Sequence, residues 1–257
     1  MSNDTIHTTA LNPSACRAWL VEEMRDHQAA DRLVQGLYWN DGKGCAVGCA
    51  MQSLDPDAEP DDHARYAEMI GAPEMLVRLE DCIFEGLPNA LAMEWPVRFT
   101  IALRDSSADE EALRRACMRF LHTTVSRALE RYADAETRAA CQPALDVVAA
   151  SAKGQPISAA DVAQAERKAA WAASVAVAPV ASARAARAAG LAARAATAAA
   201  SQAEAMAPAP PALAAMAAIA SARAARAAVA EKARDAAKEA AYTEMADTLI
   251  AEIEAAS

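Results

Sequence analysis

The sequence predicts an all-α protein, in which a compact helical N-terminal domain is followed by a long Ala-rich antiparallel helical hairpin. Apolar residues recur at helical spacing in the first 157 residues, and we find no stretch that alternates apolar and polar residues as a half-buried strand would. Residues typical of helix starts and stops bound many of these segments. After Ser158 about half of the residues are alanine, which has the highest helix propensity.

The first helix is predicted over NPSACRAWLVEEMRDHQAADRLVQGLYW, because its apolar residues share one helical spacing. NDGKG follows as a turn or loop, and a short helix should run from about Cys45 to Ser53. The acidic loop DPDAEPDD leads to a helix over HARYAEMIG that should stop at Gly71.

The next predicted helix, PEMLVRLEDCIFEG, begins near Pro73 and stops at Gly86, and another should begin at Pro96. SADEEALRRACMRFLHTTVSRALERY has a serine cap, an acidic first turn and basic later turns, as the helix dipole favours. A last helix of this part should cover roughly 134–152. We place the domain boundary between residues 157 and 158 and expect residues 1–157 to fold alone.

Residues 158–257 are predicted to form the hairpin. Ser158 caps its first helix, Pro179 kinks or breaks that arm, and the prolines of APAPPA at 207–212 mark the turn between the arms. Alanine side chains let helices approach closely but bury little apolar area. We therefore expect the bulkier residues from Tyr242 to Ile253, with Trp171, to contact the first domain or a second subunit, so that self-association is one possible role of the tail.

The charge of the chain is uneven. Residues 1–157 hold 15 Lys/Arg and 25 Asp/Glu and carry the whole net charge of −10. This acidic domain would repel phosphates, which disfavours nucleic acid as its partner. No apolar run reaches the ~20 residues of a membrane span, no secretory signal is recognisable, and the six cysteines of a chain this long are expected to be free thiols. The sequence therefore predicts a cytoplasmic protein that does not enter the membrane.

The stretch GKGCAVGC at 42–49 holds two cysteines four residues apart, and one interpretation is a metal site, with zinc as the expected ion. At helical spacing the two thiols share a face. His27 and Asp31 are likewise four apart in the predicted first helix, and His63 opens the helix after the acidic loop. The candidate ligands are His27, Cys45, Cys49 and His63, with Asp31 orienting the site.

Two other interpretations of the same stretch stay open. Cys45 in the first turn of a helix would be a nucleophile, with His63 or His27 as its base and Asp31 as the orienting acid. Alternatively, both cysteines are small buried residues, and Gly48 permits close packing.

RLEDCIFEGLPN at 78–89 clusters Glu80, Asp81 and Glu85 near a helix end, where acidic groups oppose the helix dipole. Arg78 can pair with Glu74 or Asp81 at helical spacing. A carboxylate site for a hard cation or for acid–base chemistry is one interpretation, and a solvated, partly paired face is the other.

Taken together, DHQAADRLVQGLYWNDGKGCAVGCA, RLEDCIFEGLPN, WPVRF and the Ala-rich tail with its Ser/Ala/Arg repeats resemble a family of bacterial and bacteriophage proteins whose members have no assigned activity. His63 in DDHARYAEM resembles that family's DHxxYxE-like stretch. Family members often carry a histidine soon after the second cysteine, where this chain has Gln52 and Ser53. The resemblance implies a phage or mobile-element setting and no particular reaction.

No nucleotide-binding glycine loop, zinc-protease motif or hydrolase elbow occurs in the chain. The sequence therefore favours a binding or interaction protein, such as a phage accessory factor with a protein partner, that carries a Cys/His metal site on an Ala-rich helical scaffold. The alternatives are a thiol-dependent enzyme that uses Cys45 and a structural assembly protein.

Overall fold

The structure, a computed structural model, describes residues 12–175 and 234–257, together with positions 185, 187–189, 191, 192, 195 and 220. The described chain is predominantly helical, which confirms the all-α class. The helices are α1 (Pro13–Ala29), α2 (Ala46–Leu54), α3 (His63–Ile70), α4 (Glu74–Gly86), α5 (Asn89–Asp105), α6 (Glu110–Tyr132), α7 (Ala135–Ala152), α8 (Ala159–Val175) and α9 (Arg234–Glu254). No described helix is both long enough and apolar enough to cross a bilayer.

Helix α1 is shorter than its apolar spacing predicts. It begins at Pro13, where the Asn12 side chain caps the backbone N–H of Ala15, and it ends at Ala29 instead of near residue 37. Asp31 follows with a φ of 54°, outside the helical range. The prediction that His27 and Asp31 share a helical face is therefore wrong, because the chain has already left the helix at Asp31.

Residues 39–44 form a small antiparallel hairpin that the sequence pattern did not predict. Strand β1 (Trp39–Asn40) pairs with β2 (Lys43–Gly44), and the turn residues Asp41 and Gly42 both have positive φ. Two positive φ angles in a two-residue loop match the twist of paired strands. The strands are only two residues long, too short for an apolar alternation to be counted.

Several helix boundaries match the sequence signals and others do not. Gly71 ends α3 in the left-handed conformation, Gly86 is the last residue of α4, and the Ser158 side chain caps the start of α8, all as predicted. Helix α5 starts seven residues before Pro96 and contains it, and Asp109 rather than a serine caps α6.

The core of the described chain extends through most of its helices, and its largest aromatic side chains come from α3, α4, α5 and α6. Its largest fully buried aromatic side chains are Trp95, Tyr66, Phe84, Phe99 and Phe120. The Trp95 indole also donates a hydrogen bond of 3.1 Å to the Glu80 carbonyl oxygen, which ties α5 to α4. Burying a large aromatic side chain contributes on the order of 2–3 kcal/mol, so this cluster fixes how α4 sits in the molecule.

Helix α9 completes that core from the far end of the chain. Four of its large side chains are at most 6 % exposed: Tyr242, Met245, Leu249 and Ile253. Salt bridges join it to α5 and α6, including Arg119–Glu252 at 2.5 Å and Arg131–Glu244 at 2.6 Å. The expected contact between this cluster and the first domain is thus present, whereas Trp171 on α8 is 47 % exposed.

The proposed domain boundary at 157/158 stays a prediction, although α9 shares its core with the helices before that boundary. The hairpin turn at 207–212 and the kink at Pro179 lie outside the described residues.

Candidate functional site

The two glycines around Cys45 let the backbone of Tyr38 approach α2. A Cβ atom on Gly44 or Gly48 would overlap the carbonyl oxygen of Tyr38. Glycine is the residue that permits such an approach. The GKGCAVGC motif therefore serves to seat the segment Gly36–Tyr38, hereafter the site loop, against the N-terminus of α2.

Cys45 is the N-cap residue of α2 and is buried. Its Sγ accepts a hydrogen bond of 3.4 Å from the backbone N–H of Gly48. Burial raises the pKa of the Cys45 thiol strongly, and the nearby Asp81 carboxylate raises it further, while the Gly48 N–H lowers it. Burial and the neighbouring negative charge thus outweigh the helix N–H groups, which by themselves would favour the thiolate.

Helix α4 brings two carboxylates to the Cys45 thiol. Asp81 and Glu85 lie one helical turn apart on α4, and one oxygen from each lies within 4.8 Å of the other and of Cys45 Sγ. Cys45 is buried, Asp81 is intermediate and Glu85 is exposed. These ligand types at these separations would suit one divalent cation.

The site loop contacts all three of these residues in succession. The Gly36 N–H donates to both carboxylate oxygens of Glu85, at 3.0 and 2.8 Å. The Leu37 carbonyl accepts a bond of 2.6 Å from the Cys45 N–H, and the Tyr38 hydroxyl donates to Asp81 Oδ2 at 3.3 Å. The loop therefore contacts the side chains of Glu85 and Asp81 and the backbone of Cys45.

His63 supports Asp81 from the opposite side. Its Nε2 lies 3.1 Å from Asp81 Oδ2, and its Nδ1 lies 2.7 Å from the Asp61 carbonyl oxygen. Because a carbonyl oxygen only accepts, Nδ1 donates to Asp61, and Nε2 faces Asp81 Oδ2. Both ring nitrogens are thus engaged, and His63 holds the carboxylate in place.

One atom of the cluster lacks a partner. Asp81 Oδ1 is buried, and no hydrogen-bond donor for it is found among the described residues. Although the Glu85 residue is exposed, partial burial of its carboxyl group raises its pKa, the Gly36 N–H lowers it, and Asp81 adds a smaller raising effect. A buried, unsatisfied carboxylate oxygen close to a second carboxylate is costly unless a proton or a cation compensates it.

The structure does not bring the sequence-predicted ligands together as one group. His27 is buried, its Nε2 lies 2.9 Å from Ser53 Oγ, and burial lowers its pKa. The Cys49 thiol lies 3.4 Å from the Gly44 carbonyl oxygen. Asp31 faces Lys43 at 3.4 Å, with a side chain that is 91 % exposed. Of the predicted residues, Cys45 belongs to the cluster and His63 supports it.

Sequence reasoning missed Tyr38 and gave Asp81 too small a role. The interpretation of 78–89 as a solvated face is wrong for Glu80, which is fully buried, and for Asp81, which is 16 % exposed. The expected pair of Arg78 with Glu74 forms at 2.7 Å. The available signal was the i, i+4 pair Asp81 and Glu85, which shows one helical face but not what that face packs against.

Comparison with protein-family models, curated proteins and solved structures finds no match for this chain.

Proposed function

We propose that this protein binds a divalent cation of the zinc class through Cys45, Asp81 and Glu85. The observation that carries the proposal is the buried and unpartnered Asp81 Oδ1 beside a thiol and a second carboxylate. A cation there would satisfy that oxygen and offset the partial burial and the repulsion from Asp81 that raise the pKa of Glu85. Zinc accepts thiolate and carboxylate ligands together, whereas calcium and magnesium prefer oxygen alone.

The hydrogen bonds around the cluster resemble those found at metal sites, where neighbouring groups hold the ligating side chains in place. Ligating carboxylates are themselves usually hydrogen-bonded by neighbouring groups, which fix their orientation. Here His63 and Tyr38 hold Asp81, and Gly36 holds Glu85. The three ligands would thus be positioned before the ion arrives, which lowers the cost of ordering them.

The charge of the ligands favours a binding role over hydrolysis. A thiolate and two carboxylates together outweigh the two positive charges of the ion, which makes it a weaker Lewis acid than an ion held by neutral histidines. A thiol-dependent enzyme is not favoured either, because the pKa of Cys45 is raised and both nitrogens of His63 are engaged elsewhere.

A protein partner and a phage or mobile-element setting remain part of the proposal on the strength of the sequence resemblance. A cytoplasmic location suits the protein because its six cysteines are all free thiols. Self-association through the Ala-rich helices depends largely on residues outside the described part of the chain.

Elemental analysis after dialysis against zinc and removal of loose metal tests the proposal. We expect about one equivalent of zinc on the full chain and a substantial loss in the Cys45→Ser and Asp81→Asn variants, since each removes one ligand.

The matched control variants are Cys49→Ser and His27→Asn, which change two members of the sequence-predicted ligand set. Both should retain the zinc. Loss of zinc in the controls and its retention in Cys45→Ser or Asp81→Asn would contradict the site, and absence of zinc from the unmodified chain would refute the function.

A further inference from the structure

The last turn of α4, which carries Glu85, is held from two sides. On one side the Gln35 side-chain amide donates to the carbonyl oxygens of Phe84 and Leu87, at 2.6 and 3.0 Å. Carbonyl groups at a helix end lack partners within the helix, so these two bonds fix that end.

On the other side the same turn meets Tyr242 of α9. A Cβ atom on Gly86 would overlap the Tyr242 ring, which shows that the ring lies flush against the backbone of α4. Tyr242 is also hydrogen-bonded to Cys82, an interaction that lowers the pKa of this thiol, although burial raises it to about 12. Because Cys82 and Gly86 each directly follow a cluster carboxylate in α4, Tyr242 packs on the turn that carries both of them.

Helix α9 is held in this place independently of α4. Arg131 on α6 makes two bonds to the Glu244 carboxylate, at 2.6 and 3.0 Å, and Arg98 on α5 lies 2.9 Å from Asp247. The Tyr242 ring therefore packs on α4 from a helix that is anchored to α5 and α6. The position of α9 can thus affect the geometry of the site.

We propose that Tyr242 is a positioning residue for the Cys45–Asp81–Glu85 site, and that docking of α9 and cation binding strengthen each other. This inference rests on the proposed cation site. Loss of the ring would loosen the last turn of α4 and spread the orientations of Asp81 and Glu85, as changes around a metal site commonly weaken binding by about 10–100-fold. Coupling of this kind is reciprocal, so a bound cation should also hold α9 in place.

Titration of the full chain with Co²⁺ tests the inference, because thiolate-to-cobalt absorption reports the bond to Cys45. Tyr242→Ala should weaken Co²⁺ binding by about tenfold or more, while circular dichroism shows that the helices persist. Tyr242→Phe, which keeps the ring on Gly86, should restore most of the affinity. Glu254→Ala, at an exposed position on the same helix, is the matched control and should change affinity little, because it leaves the docked face of α9 intact.

Wild-type affinity in Tyr242→Ala would overturn the inference, and so would an equal loss in Glu254→Ala. Absence of the thiolate signal from the unmodified chain would instead refute the cation site itself. If Tyr242→Ala does not fold, hydrogen exchange on the unmodified chain decides: Co²⁺ should slow exchange in α9 more than in α8, and equal slowing in both helices would overturn the coupling.

Discussion

At the scale of single residues, Glu80 is the most unusual group in the described chain. It is fully buried beside Asp81, and neither carboxylate oxygen has a hydrogen bond of ordinary geometry with a described residue. Burial raises its pKa well above the usual range, Asp81 raises it further, and the facing Tyr66 hydroxyl lowers it only in part. Burial therefore favours the neutral carboxylic acid form of Glu80 in the folded chain.

This protonation state predicts a pH dependence of stability. Above the usual glutamate pKa of ~4.3 the unfolded chain has lost the proton that the folded chain keeps, so stability falls as pH rises toward the raised pKa. The slope attributable to one such group is at most about 1.4 kcal/mol per pH unit. The contribution of Glu80 to stability is fully present only at a pH below the pKa of this residue in the unfolded chain.

Glu80→Gln should remove that slope, because the amide does not ionise. Urea unfolding at several pH values between 5 and 8, with a chelator present, gives the free energy of unfolding of the variant and of the unmodified chain. The variant should become more stable relative to the unmodified chain as pH rises. Glu68→Gln, at a side chain that is 72 % exposed, is the surface control and should show a small difference at every pH. If the stability difference between Glu80→Gln and the unmodified chain does not change with pH, the inference that Glu80 keeps its proton in the folded chain is contradicted.

At the scale of elements, the sequence predicts helices better than it predicts what ends them. Gly71, Gly86 and Ser158 act locally, so their roles could be read from the sequence. The apolar spacing of Leu33 and Leu37 suggested more helix, yet Leu33 bridges to Gly44 and Leu37 bonds to Cys45. Those contacts form only after α2 and the hairpin are in place, and tertiary contacts of this kind override local propensity.

The same distinction explains the candidate site. The i, i+4 spacing of Asp81 and Glu85 is visible in the sequence, and the glycines around Cys45 are visible too. Helix α4 lies against the N-terminus of α2 because distant segments of the chain pack together. A local sequence pattern contains no information on such packing. The sequence therefore identified Cys45 and His63 but grouped them with Cys49 and His27, the nearest candidates along the chain and by residue type.

Helix α9 bears on the expectation that residues 1–157 fold alone, because its buried side chains share the core of those residues. Its four buried large side chains would each contribute about 1.5–3 kcal/mol on burial, which together is comparable with the whole stability of a typical domain, about 5–15 kcal/mol. We predict that a chain shortened to residues 1–233 loses its cooperative thermal transition, as followed by circular dichroism at 222 nm. A cooperative transition at a melting temperature near that of the full chain would show that α9 is dispensable to the core.

At the scale of the whole molecule, the net charge of −10 suits a cation-binding protein. A negative field draws cations toward the surface and raises their rate of association, and salt screens this effect. Glu85 is the exposed member of the cluster, so solvent reaches the cluster at this side chain. The acidic composition that argues against nucleic acid thus agrees with the proposed ligand.

The central claim is that one thiolate and two carboxylates bind the ion, and X-ray absorption at the zinc edge of the zinc-loaded full chain tests it most directly. One sulfur neighbour at about 2.3 Å, with the remaining neighbours oxygen or nitrogen at about 2.0–2.2 Å, is the predicted first shell. Two sulfur neighbours would assign the ion to Cys45 and Cys49 together, and no sulfur neighbour would exclude Cys45. Either result would contradict the Cys45–Asp81–Glu85 site.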